Sequence, residues 1–218
     1  AYEQGQLDLL VPLVKAYSSD QAFEIAATAI QVYGGAGYVQ DNPVEQHCRD
    51  AKIFSIYEGT NHIQALDLVG RKLGQRGGAN FQAFLKDVGA FVAKHSEHET
   101  IGSQVKELGQ ASQSLGASAM RFLGWFQGGK AHLVPLSANI FLKMMSTTAI
   151  SWLLLEQAVI AEAKLKELSD DDVSRKFYEG KLHSAMHYAG YELGQVLSDA
   201  KYIGEENQAP MLISNDSF

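Results

Sequence analysis

The sequence predicts an all-α protein. Three observations predict it: apolar residues recur at steps of three and four along most of the 218 residues, no alternation of period two lasts for a strand's length, and glycine-containing breaks separate the periodic runs. With 46% hydrophobic and 20% charged residues, the composition is that of a soluble globular protein, large enough for one sizeable domain or two small ones.

The elements follow in order. Leu7, Leu9, Leu10, Leu13 and Val14 give a helical stripe that is expected to end near Tyr17, and Pro12 inside it removes one helix hydrogen bond and can kink the rod. Ser18, Ser19 and Asp20 read as caps before a second helix carrying Phe23, Ile25, Ala26, Ala29, Ile30 and Tyr33. Gly34-Gly35-Ala36-Gly37 stops that helix, because glycine tolerates the left-handed conformation of many helix ends. Asp41-Asn42-Pro43 reads as a turn into a short helix through Val44, His47 and Ala51, and Ile53 to Tyr57 as an apolar connector. Glu58-Gly59-Thr60-Asn61 opens one more helix, continued by Ile63, Leu66, Asp67, Val69 and Leu73. Gly74, Gly77 and Gly78 mark a domain boundary, giving expected domains 1–75 and 76–204 and a tail 205–218 without clear period.

Past the boundary, Phe81, Phe84, Leu85, Val88, Phe91 and Val92 repeat at three and four. Ile101, Val105, Leu108, Ser112, Leu115, Ala119, Phe122 and Phe126 then alternate steps of four and three, a bundle seam. From about Pro135 to Leu168 the chain is apolar on more than one face, which places it centrally. Ser169 and Asp170 to Asp172 are expected to cap a last helix bearing Val173, Phe177, Leu182, Ala185, Tyr188, Leu193, Val196 and Ile203. Four helices with short connections make an antiparallel bundle the economical topology.

A net charge of −7 without clustered Lys and Arg argues against a nucleic-acid partner. The longest apolar stretch, Ala131 to Leu155, is broken by Lys143 and diluted by Ser, Thr, Asn and Pro, so it reads as a buried helix rather than a membrane insertion. The single cysteine, Cys48, cannot pair within the chain and reads as a small packing residue, which fits a reducing compartment. A start at Ala1, already inside a helical pattern, suggests a piece of a longer protein.

Candidate chemistry concentrates between Gln31 and Gln64. By residue type alone, Glu58 reads as a first-turn acid favoured by a helix dipole or as a functional acid, and Gly34 and Gly35 as a helix stop or as a backbone left bare for a ligand. Arg49-Asp50 reads as an ion pair that holds its segment in place. His183 and His187 have the four-residue spacing of metal ligands on a helix, but no third ligand is evident and no metal site is expected. His95 and His98 read as surface residues near a helix end.

Three motifs in order, Gln31-Val32-Tyr33-Gly34-Gly35-Ala36-Gly37-Tyr38, Arg49-Asp50-Ala51-Lys52-Ile53 and Ile56-Tyr57-Glu58-Gly59-Thr60-Asn61-His62-Ile63-Gln64, resemble the closing motifs of the acyl-CoA dehydrogenase family, over about residues 8 to 73. The rest, from about residue 76, resembles the additional helical domain of the branch that includes 3-methylmercaptopropionyl-CoA dehydrogenases. The fold implied is the family's C-terminal helices followed by the four-helix bundle.

The resemblance implies FAD as cofactor and an acyl-CoA as substrate, oxidised to a trans-2-enoyl-CoA. Glu58 matches the base that removes the α-proton, and desolvation against its substrate would strengthen it. Gly59 leaves room for the substrate, Tyr57 would line the acyl channel, and the Glu58 backbone N–H would polarise the thioester carbonyl. Gln31, Gly34 and Gly35 match positions near the FAD of a neighbouring subunit. Thr60 matches a residue near the FAD phosphates, and His62 stands where relatives often carry Gln. The resemblance further implies a homodimer or homotetramer, an electron-transferring flavoprotein as acceptor, and a location in the bacterial cytoplasm, or in the mitochondrial matrix of a eukaryote. The competing reading is a non-catalytic helical module for oligomerisation or partner docking.

Overall fold

A computed structural model describes residues 2–217. Helices account for the regular structure, with no strand among the described residues, and the chain falls into two compact units, Ala1–Asn80 and Phe81–Phe218.

The first unit is built on α1 (Tyr2–Tyr33), whose buried residues Gly5, Leu9, Pro12, Leu13, Ala16 and Ser19 form one stripe. The break expected at Tyr17 does not occur. Ser19 donates its hydroxyl proton back to Ala16 O at 2.9 Å and Asp20 accepts from Asn61 at 2.7 Å, so neither side chain is used to accept a backbone N–H as a cap would, and the helix runs on. Gly34 (φ 61) ends α1, and a single turn, α2 (Gly35–Tyr38), folds back with Gly37 buried. Asn42 Nδ2 ties this turn by donating to Ala36 O at 2.7 Å.

Helix α3 (Val44–Ala51) starts after Pro43, as expected, and passes into a tighter helical turn, Lys52–Ser55. After the left-handed pair Glu58 (φ 53) and Gly59 (φ 91), Thr60 caps α4 (Asn61–Asp67) by accepting the Ile63 N–H at 3.3 Å. A wide π turn, Leu68–Lys72, follows, burying Leu68, Val69 and Lys72. The left-handed run Arg76, Gly77 and Gly78 then breaks the helical path before α5.

The second unit holds four long helices, α5 (Ala79–His95), α6 (Gly102–Gln127), α7 (Leu133–Glu167) and α8 (Arg175–Gly204), the antiparallel bundle that the spacing predicts. Val92 lies against Gly109 and Leu85 against Gly116, so α5 and α6 run antiparallel with glycines beneath the branched side chains. Aromatic rings join the layers: Phe141 on α7 lies 5.1 Å from Phe122 and 6.3 Å from Phe81, and Phe84 meets Trp152 edge-on at 6.0 Å. The most extensive pairing is α7 with α8, and Ala158 and Ala161 on the one and Ala185 and Ala189 on the other are buried.

The α6 seam departs from expectation on one flank. Leu108, Leu115 and Phe122 are its buried centre, but the neighbours that go in are Ala111, Ser118 and Trp125 rather than Ser112, Ala119 and Phe126. Ser112 and Ala119 are half-buried and Phe126 is exposed. Helix α7 is long and apolar enough to cross a membrane, yet 61% of its most apolar window is buried inside the unit. The side-chain cap expected for α8 is not made: Ser174 is the N-cap without a side-chain cap bond, Asp172 instead accepts the Ser174 N–H at 2.8 Å in the turn before the helix, and Ser169 lies too far upstream of the Arg175 start to act. Beyond α8, a short turn α9 (Ala209–Leu212) begins around Pro210.

Candidate functional site

The Glu58 turn is positioned by α1 on one side and α4 on the other. Lys15 Nζ donates to Gly59 O at 2.7 Å and to Asn61 Oδ1 at 2.9 Å. The Asn61 amide donates in turn to Asp20 Oδ1 at 2.7 Å and Ser19 Oγ at 2.9 Å. These bonds tie the middle of α1 to the first turn of α4, and the left-handed pair sits between them. The Glu58 carboxylate has no hydrogen-bond partner among the described residues, and Glu58 is exposed.

An open depression of about 320 Å³ lies at this turn, lined by Lys15, Ser18, Ser19, Phe54, Tyr57 and Glu58. Its chemistry is mixed: one carboxylate, one ammonium and two serine hydroxyls against the aromatic rings of Phe54 and Tyr57. The structure thus brings Tyr57, Glu58 and Gly59 together with Lys15, Asn61, Ser19 and Asp20, four residues the sequence reading did not place in a site. A signal was available, since Lys15 and Ser19 are four apart and share one helix face, but Ser19 and Asp20 look like caps when taken alone.

Gln31, Gly34 and Gly35 form a second group at the C-terminal end of α1, all exposed. A Cβ built on Gly34 or Gly35 would meet no atom, so the peptide groups there lie open to a ligand. The sixteen residues from Lys15 to Gln31 put the two groups roughly 24 Å apart along the helix. Thr60 spends its hydroxyl acceptor on the α4 cap, and His62 lies exposed in that helix's first turn. Large apolar side chains stand open around both groups: Val32 is 80% exposed, Tyr38 79% and Tyr57 66%, with Ile53, Phe54, Ile56 and Ile63 about half exposed.

Several expected pairings change. Arg49 binds Glu45 one turn earlier on α3 (2.8 Å) and is 63% exposed, while Asp50 accepts from Gln46 at 3.4 Å. Positions four apart on a helix face each other and adjacent ones do not, so the ion pair is Arg49–Glu45. The Arg49 guanidinium holds the Glu45 carboxyl below its ordinary value. Cys48 is half-buried. His95 and His98 are half-buried rather than on the surface, and His98 reaches Glu162 at 3.3 Å. His183 and His187 are exposed on α8, and His187 stacks on Tyr191 at 6.3 Å.

Two family models match the chain, acyl-CoA dehydrogenase C-terminal domain over residues 1–73 and acetyl-CoA dehydrogenase C-terminal like over 84–214. A butyryl-CoA dehydrogenase of Syntrophomonas wolfei is 32% identical over 187 residues, 86% of this chain and 30% of that protein. A broad-specificity linear acyl-CoA dehydrogenase of Mycobacterium tuberculosis is 33% identical over 84% of this chain and 30% of its own length. The 3-methylmercaptopropionyl-CoA dehydrogenase of Ruegeria pomeroyi is 30% identical over 87% of this chain and 32% of its own. The chain thus spans about a third of the length of these relatives. With a helical unit matched on each side of the glycine turn and the three motifs gathered in the first of them, the chain belongs to the acyl-CoA dehydrogenase family, whose C-terminal helical domains it represents.

Proposed function

We propose that this chain is the C-terminal part of an FAD-dependent acyl-CoA dehydrogenase and that Glu58 is its base. The observation that carries the reading is the Glu58 turn itself: a carboxylate without a hydrogen-bond partner among the described residues, on a backbone fixed from both sides, at the rim of a depression with aromatic walls. In the reaction, Glu58 takes the α-proton of an acyl-CoA thioester as the trans-2-enoyl-CoA forms. FAD, when bound, supplies the acceptor for the β-hydride. The Glu58 N–H polarises the thioester carbonyl, Gly59 presents no side chain to the reacting carbons, and Tyr57 walls the acyl chain.

Glu58 is exposed in this chain, so the water exclusion that strengthens a carboxylate base has to come from segments that cover the depression. The roughly 24 Å between the Glu58 and Gly34-Gly35 groups supports two different flavins as their partners, one per group, as in a homodimer or homotetramer. Gln31, Gly34 and Gly35 would then meet the cofactor of a neighbouring subunit, and Thr60 and His62 would lie toward the cofactor on the Glu58 side. Electrons would leave to an electron-transferring flavoprotein. The test is Glu58→Gln in the full-length enzyme, which keeps shape and removes the base. A fall in acyl-CoA-dependent acceptor reduction of at least roughly 100-fold, with flavin content retained, is expected. An unchanged rate would assign the base elsewhere.

A further inference from the structure

We propose that Lys15 and Asn61 are positioning residues for Glu58, an inference that rests on the reading of Glu58 as the base. Glu58 holds φ 53 and Gly59 φ 91. A left-handed backbone is uncommon for a residue with a side chain and persists where its surroundings over-determine it. Here the surroundings are specific. Lys15 is half-buried on α1, and its ammonium, which can only donate, points two bonds at the far side of the turn: Gly59 O at 2.7 Å and Asn61 Oδ1 at 2.9 Å.

Asn61 is fixed by the same logic. Its Nδ2 donates to Asp20 Oδ1 and Ser19 Oγ, which leaves Oδ1 as the oxygen facing Lys15 and sets the amide's orientation. The network also spans 44 residues of sequence, from the middle of α1 to the peptide after Glu58, so it ties the turn to the longest helix of the unit. None of its bonds reaches the Glu58 carboxylate. The clamp therefore holds the backbone and leaves the acid available, the arrangement required of a base that must be aimed without being neutralised by a bond of its own.

The bond to Lys15 pulls the Gly59 carbonyl toward α1, and in a planar peptide the Thr60 N–H must then point away from it. Loss of the ammonium frees that peptide to rotate and lets Glu58 leave the left-handed region, which moves the carboxylate relative to a bound substrate. A displacement of about 1 Å at a reacting group costs on the order of 100-fold in rate.

Three variants of the full-length enzyme and one spectrum of the 218-residue chain test this. Lys15→Met is expected to lower kcat roughly 10- to 100-fold while KM stays within about 3-fold and flavin content holds. Lys15→Arg, which keeps a cationic donor for Gly59 O, is expected to restore most of the rate. In the chain itself, carbon-13 labelling at Gly59 is expected to show its carbonyl resonance moving upfield in Lys15→Met, with the Ala65 carbonyl unmoved. If Lys15→Met leaves kcat and the Gly59 resonance unchanged while Glu58→Gln is inactive, the positioning role is overturned and the base assignment stands. If Glu58→Gln still turns over at the normal rate, the base assignment falls and takes the positioning role with it.

Discussion

Trp125 and Glu206 are joined across 81 residues: the indole Nε1 donates to Glu206 Oε1 at 2.9 Å. The same carboxylate takes Lys130 Nζ at 2.6 Å and lies 3.7 Å from Arg121, so one acid collects the end of α6, the following loop and the end of α8. Glu206 itself sits at φ 52, and Lys130 together with the Trp125 indole holds its carboxyl below the ordinary value of 4.5. This bond explains the α6 seam. Trp125 can face inward because its one polar atom is satisfied there, and Phe126 is turned out to solvent.

Glu206→Ala should therefore leave Trp125, now only 4% exposed, with an unsatisfied indole N–H. The expected outcome is a red shift of tryptophan emission and a lower thermal midpoint for the second unit. Glu206→Gln, which keeps an acceptor for the indole, is expected to keep most of the emission wavelength.

Gly37→Ala should destabilise the first unit. A Cβ at Gly37 would lie 2.6 Å from Tyr33 Cβ and 2.9 Å from Ile30 O, and both belong to the helix that the turn folds onto. Overpacking of this kind costs about 1–3 kcal/mol, measurable by urea unfolding. Gly35→Ala, where the added methyl meets nothing, should be close to neutral and serves as the control.

Acid should weaken the second unit in two steps. Burial pushes His95 below its ordinary 6.5, with Lys94 and His98 adding to the effect. The Thr100 hydroxyl, then Lys166 and His98, hold Glu162 below its ordinary 4.5. In both cases the folded value is the lower one, so between the two values the unfolded chain binds more protons and stability falls as pH falls. The first loss begins below about pH 6.5 and the second below about pH 4.5, continuing through the depressed folded values. A thermal-midpoint series should show both, and Glu162→Gln should remove the second.

The chain alone should bind FAD poorly and turn over no acyl-CoA. Its two candidate groups lie roughly 24 Å apart along α1 and both are open to solvent, so neither encloses a ligand. The visible absorbance of purified chain incubated with excess FAD and desalted is the measurement, and a stoichiometric yellow complex would contradict the expectation.

Much of this molecule is legible one residue at a time. The helical period, the glycine stops at Gly34 and Gly77-Gly78, the Pro43 start of α3 and the four helices of the second unit depend on local rules, because backbone sterics and apolar spacing act within a few residues. The motifs around Gly34-Gly35 and Glu58-Gly59 are local as well, which is why the family could be named from them.

What the tertiary structure decided is which of two locally acceptable choices is taken. Ser19 and Asp20 can cap a helix end or serve Asn61, and only a partner 41 or 42 residues away settles that α1 continues. Leu108, Leu115 and Phe122 fix the centre of the α6 face, but the flank that is buried depends on Glu206, which lies 81 residues from Trp125 in sequence and gives its indole N–H an acceptor. Lys15 belongs to the Glu58 turn for the same physical reason. A hydrogen bond depends on distance and angle, and distance across 44 residues is a property of the folded chain, not of the spacing of its letters.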